Sequence, residues 1–140
     1  MTNLKIIQNK ISFIEAQLKL LKMYNKYSLA VILDDPTLRG AVERYLYLAV
    51  QGSIDLADAT IAFKKLRKPT TYSESFYILL EEKIIPRDLQ ESLVNMTGFS
   101  NVVAHAYQNI DYNIMYDVLH NKLDDIKKFL KLIRSKLKIY

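Results

Sequence analysis

The sequence predicts an all-α fold, an up-and-down bundle of four principal helices with one short extra helix. Three observations predict it. Apolar residues recur at three- and four-residue steps over most of the 140 residues. Only three Gly and three Pro punctuate the chain, too few for the turns of a many-stranded sandwich or barrel. No segment of strand length alternates apolar and polar residues. Half of the residues are apolar and a quarter are charged, so the chain can build one core, as a single domain over residues 1–140.

The elements follow in order. Leu4, Ile7, Ile11, Ile14, Leu18 and Leu21 form one stripe of a first helix, capped by Thr2 or Asn3 and running to Asn25 or Tyr27. Asp34-Asp35-Pro36 supplies a capping carboxylate and a first-turn proline. The second helix then carries Leu38, Val42, Tyr45, Ala49, Ser53, Leu56, Thr60 and Phe63 to about Leu66. Its small residues Ala49, Gly52, Ser53, Ala57 and Ala59 suit close approach, inside the bundle or at a dimer contact. After a polar loop over Thr70–Ser75, a short third helix spans Ser75 to Glu82. Pro86 restarts the chain into a fourth helix through Leu89, Leu93 and Met96, which Gly98 interrupts as a kink. Asn109-Ile110-Asp111 is a turn. A regular fifth helix follows, with Tyr112, Tyr116, Leu119, Leu123, Ile126, Leu130, Ile133 and Leu137 in step.

Composition excludes several chemistries. With no Cys and only His105 and His120, thiolate sites and multi-histidine metal centres are ruled out. There is no phosphate-cradling glycine loop, no GxSxG elbow and no HExxH. The first residues have no signal-peptide core, and no stretch reaches the about 18 apolar residues of a membrane span, so the chain is expected in the cytoplasm without membrane contact.

One stretch concentrates polar chemistry: Gly98-Phe99-Ser100-Asn101-Val102-Val103-Ala104-His105-Ala106-Tyr107. On a helix, Asn101 and His105 share a face, with Ser100 about one residue around and Tyr107 at the end or in the following turn. Amide, hydroxyl, imidazole and phenol can then converge. Asp55, a mid-helix acid among apolar residues, could orient His105 or simply satisfy a polar pair. His120 has no such constellation and reads as structural or exposed.

This stretch resembles the signature of the HEPN superfamily, specifically its HepT-like toxins. That pattern is Arg, four residues, His, any residue, Tyr, with Asn commonly after the Arg. Asn101, His105 and Tyr107 fall on it. Met96-Thr97-Gly98-Phe99 before it, and Val42-Glu43-Arg44-Tyr45-Leu46 with Ile54-Asp55-Leu56-Ala57 upstream, are similar to the same family. The resemblance implies a metal-independent endoribonuclease without a cofactor, acting as a homodimer that brings two motifs into one cleft. It also implies a partner, a small MntA-like nucleotidyltransferase antitoxin that transfers AMP onto Tyr107. Ser100 occupies the arginine position. An imidazole can move protons, but a guanidinium binds phosphate bidentately and stabilises developing charge, which Ser cannot. The expectation is therefore a weakly active or inactive nuclease, with Arg44 and Arg39 as substitute cations. The alternative is a non-enzymatic helical module that binds the nucleotidyltransferase or RNA.

The net charge is +5, and residues 122–140 alone hold seven basic against two acidic side chains. Lys127, Lys131, Arg134 and Lys138 follow one another at helical steps, a stripe suited to RNA phosphates.

Overall fold

The computed structural model describes residues 3–139, and they form the expected all-α bundle. The principal helices are α1 (Leu4–Tyr24), α3 (Pro36–Phe63), α5 (Arg87–His105) and a last one built in three parts. Those parts are α6 (Tyr112–Asp117), a π-helical turn over Val118–Lys122 and α7 (Leu123–Leu137). Two short helices, α2 (Leu29–Asp34) and α4 (Tyr72–Glu81), complete the fold.

Caps fix where the helices begin. Asn3 accepts from the Ile6 amide at 3.0 Å, whereas Thr2, the other expected cap, lies outside the described residues. Asp35 accepts from Thr37 and Leu38, and Pro36 takes the first helical position, where its missing N–H costs nothing. Ser28 starts α2, an element the sequence reading passed over because six residues carry too little periodicity to stand out. Thr71 caps α4, which begins earlier than the expected Ser75. Two lysines with positive φ, Lys65 and Lys83, turn the chain out of α3 and α4. Asp111 caps α6 as expected.

α3 is the axis of the bundle. At 28 residues it is about 42 Å long, and α1, α4, α5 and α7 all pack on it. Its small residues are spent inside the molecule: Ala49, Gly52, Ser53, Ala57 and Ala59 are all buried. A Cβ on Gly52 would stand 2.8 Å from Ile14 Cγ1, so glycine is what lets α1 approach this closely. The buried small side chains therefore serve the bundle and not the dimer contact considered above. The buried hydroxyls of Ser53, Thr60 and Thr97 each donate to the carbonyl four residues back, so none of them is an unpaired cost in the core.

Gly98 does not interrupt α5. The helix runs unbroken to His105, and the glycine sits on its exposed side, where no packing demands its flexibility. The last helix is less regular than its spacing suggested, because the π turn interrupts it. There His120 Nε2 lies 2.8 Å from the Asn25 carbonyl and Nδ1 lies 3.1 Å from that of Tyr116. Its ring also packs on Tyr116 at 3.9 Å, so His120 is a structural clasp between the end of α1 and the π turn. No helix is long and apolar enough to cross a membrane among the described residues.

Candidate nuclease groove at the end of α5

α1 and α3 run antiparallel, as do α3 and α5, so the start of α3 meets the end of α5. There a groove of about 430 Å³ is lined by Gly40, Glu43, Arg44 and Tyr47 from α3 and Val103, Ala104 and His105 from α5. The α3 residues share one face by their steps of three and four. His105 is the last residue of α5. Arg44 is exposed, and its guanidinium stands 5.7 Å from the Tyr47 ring centroid, a cation–π contact within the same face. The groove thus offers an imidazole, a guanidinium and a carboxylate.

Glu43 is held from behind. The Tyr112 hydroxyl donates to its Oε1 at 2.9 Å. The phenol of Tyr112 is pushed above its ordinary pKa, chiefly by burial and then by its bond to Glu43 and that residue's charge, against a smaller opposing effect of Arg39. Arg39 lies 5.8 Å from the Tyr112 ring centroid and donates to the Leu33 carbonyl at 3.1 Å. Of the two substitute cations considered from the sequence, Arg44 lines the groove and Arg39 is engaged elsewhere.

The motif residues divide. Asn101 is exposed on α5, one turn before His105. Tyr107 lies on a single 3-10 turn (Tyr107–Asn109) and is 68% exposed, the most accessible of the large apolar and aromatic side chains among the described residues. Ser100 does not join them. It is 2% exposed and faces the packed interior, because one residue along a helix is a rotation of about 100°. Nor does Asp55 reach His105. It is eleven residues, about 16 Å, beyond Arg44 along α3. There it lines a different groove with Ile6, Asn9, Lys10, Phe13 and Gly52, and accepts from Gln51 at 3.4 Å. The acid that shares the imidazole's groove is Glu43. Its place on the Gly40–Arg44–Tyr47 face is the signal the sequence holds for it.

The basic stripe also divides. Lys127, Lys131 and Arg134 line a groove between α7 and α1, but Arg134 is tied to Glu15 by two hydrogen bonds, at 3.0 and 2.9 Å. Lys138 lies past the end of α7 with left-handed backbone and does not line it. Among the described residues no group of three His, Asp or Glu side chains is placed to hold a metal ion.

A helical bundle with Asn-x-x-x-His at the end of α5 and a tyrosine on the turn just beyond it, over a groove shared by histidine and arginine, is a domain of the HEPN type. The family profile described as Ribonuclease HepT-like matches residues 13–133, and the chain belongs to that family. It is 28% identical over 131 residues to the mRNA nuclease HepT of Shewanella oneidensis, covering 93% of this chain and 97% of that protein. To the tRNA nuclease HepT of Aphanizomenon flos-aquae it is 28% identical over 139 residues, covering 98% and 95%. The fold superimposes with a TM-score of 0.85 on the tri-AMPylated HEPN toxin of Shewanella oneidensis in complex with MNT antitoxin. That toxin is 26% identical, with 92% of this chain and 96% of that one covered. A cytosolic Bacillus subtilis protein of unknown function, YutE, superimposes at 0.86 with 20% identity, covering 98% of this chain and 92% of that one, a likeness of fold.

Proposed function

We propose that this chain is the toxin of a cytoplasmic toxin–antitoxin pair, a metal-independent RNA endonuclease whose activity is weakened by Ser100. The observation that carries this reading is that His105 and Arg44, from different helices, line one groove. In cleavage the ribose 2′-oxygen attacks the adjacent phosphorus and the 5′-oxygen departs. One imidazole takes the proton from the 2′-hydroxyl, and a second delivers one to the leaving oxygen. Two imidazoles require two protomers, and the exposed face of α3 supports a homodimer. Arg44 and Asp55 lie along it, and Ile6 and Phe13 of α1, 36% and 45% exposed, flank it.

Arg44 is the guanidinium left to hold the phosphate, approaching from α3 instead of α5. Asn101 can donate to a phosphate or ribose oxygen. Tyr107 is the residue we assign to modification: its phenol is open to a nucleotidyltransferase partner of the MntA type. An attached AMP would add negative charge beside the groove and repel RNA. The solved relatives bound to an MNT or MntA antitoxin support that partner.

The test is cleavage of labelled cellular RNA by the wild type, His105→Ala, Arg44→Ala and Ser100→Arg. Weak cleavage in the wild type, lost in the first two variants and raised in the third, is the expected pattern. Cleavage untouched by His105→Ala rejects the reading. The burial of Ser100, with no cation at the motif position, favours the second reading of a non-cutting module that binds the nucleotidyltransferase or RNA. No cleavage by any of the four proteins would establish it.

A further inference from the structure

α1 and α7 are held together at two points, Glu15 with Arg134 and the Asn25 carbonyl with His120 just before α7. Between them the helices stand apart and leave a groove of about 400 Å³. Lys19 and Lys22 line one wall, Lys127 and Lys131 the other, and Leu18 and Leu130 are its apolar residues.

Its charge is one-sided. Among the described residues the one carboxylate lining it is Glu15, already spent on Arg134. Lys127 has an exposed ion pair with Asp124 at 3.7 Å, of the kind that contributes little. Among the described residues, Lys19, Lys22 and Lys131 have no carboxylate within ion-pair distance. A merely solvated helix face intersperses both signs. Here cations from segments about a hundred residues apart converge instead.

We propose that this groove binds the phosphate backbone of a single RNA strand, outside the His105 groove. Paired lysines on two walls fit an extended polyanion better than a single anion. Lys19 and Lys22 stand about 4.5 Å apart along α1 and Lys127 and Lys131 about 6 Å apart along α7, so each pair sits within reach of one or two neighbouring phosphates. Among the described residues no aromatic lines the groove, so they offer no platform for base stacking and hold RNA without regard to sequence. Lys22 lies two residues before Tyr24, whose ring stacks on Tyr45 at 6.1 Å, and Tyr45 adjoins Arg44. Both grooves therefore reach the same end of the bundle. The assignment of RNA as ligand rests on the nuclease reading.

The experiment is fluorescence anisotropy of a labelled 20-nucleotide single-stranded RNA across a salt series. It compares the full chain with Lys19→Glu/Lys22→Glu, Lys127→Glu/Lys131→Glu and the control Lys128→Glu, each checked by circular dichroism. Each double reversal should weaken binding at least about fivefold and flatten the log–log salt slope by about 1.4, for two lost phosphate contacts. The control, whose lysine lies outside this groove and near Asp125, should match wild type. Unchanged affinity and slope in both double variants overturn the proposal. So does loss of nucleotidyltransferase binding with RNA binding intact, which would make the groove a protein interface. A wild type that binds RNA through these lysines but cuts none would discard the cleavage reading alone.

Discussion

The hydroxyl of Tyr112, the first residue of α6, is hydrogen-bonded to the carboxylate of Glu43 on α3 at 2.9 Å. One bond thus fixes the helix that follows the Tyr107 turn to the wall that faces His105.

Tyr112→Phe should lower stability by about 1 kcal/mol at neutral pH, since the bond is only partly buried. The pH dependence has a definite sign. The folded state raises the phenol's pKa, so its contribution is full below the unfolded value and is lost as pH rises through the folded one. The gap between wild type and Tyr112→Phe should therefore close above about pH 10. Urea unfolding at pH 7.5 and at pH 11 checks both statements.

Glycine replacement should change sign with position. Gly52→Ala places a methyl 2.8 Å from Ile14 Cγ1, the methylene attached to the branched Cβ rather than a flexible tip. The crowding costs about 1–3 kcal/mol, more than the helical preference for alanine returns. Gly98→Ala meets nothing within 4 Å and should stabilise the protein by about 0.5–1 kcal/mol. Thermal melts of the two variants should move in opposite directions.

If Arg44 is the phosphate clamp, Arg44→Ala should reduce cleavage by about a hundredfold or more. Arg44→Lys should recover little of it, because a point charge lacks the planar fork that grips two phosphate oxygens. Single-turnover rates with the folded variants provide the comparison.

Ser100→Arg should gain activity while losing stability. Position 100 lies in the packed wall of α5, so an arginine there must displace neighbours and carry its charge out along its own stem. A melting temperature lowered by several degrees, together with faster cleavage, is expected. Faster cleavage at unchanged stability would show that the side chain escapes the interior freely.

The sequence disclosed the architecture because its apolar stripes are long and its caps explicit: Asp35-Pro36 and Asp111 open helices where they were expected to. Its errors came from features that periodicity does not encode. α2 is too short to declare a period. Gly98 looked like a break because exposure cannot be read from a glycine. The π turn retains apolar residues at plausible steps and so passes for an α-helix. At the site, spacing placed Asn101 and His105 on one face of α5 with Tyr107 just past its end, and the resemblance to the HepT-like motif made them candidates. The groove itself was less so, because Glu43 and Tyr47 meet His105 only through the antiparallel packing of α3 and α5, a relation about sixty residues distant in the chain. Ser100 was placed beside His105 by sequence proximity, whereas helical rotation turns it inward.

The π turn at Val118–Lys122 has a consequence for descent. A π turn takes up one residue more than an α-helical turn of the same rise, so both halves of the last helix keep their apolar sides toward the bundle. A cousin one amino acid shorter in this span could thread the same path as plain α-helix, and an alignment gap would belong here and not in a loop. Excising the exposed Asn121, whose amide donates to Asp117, would imitate that ancestor, and the shortened chain should still fold.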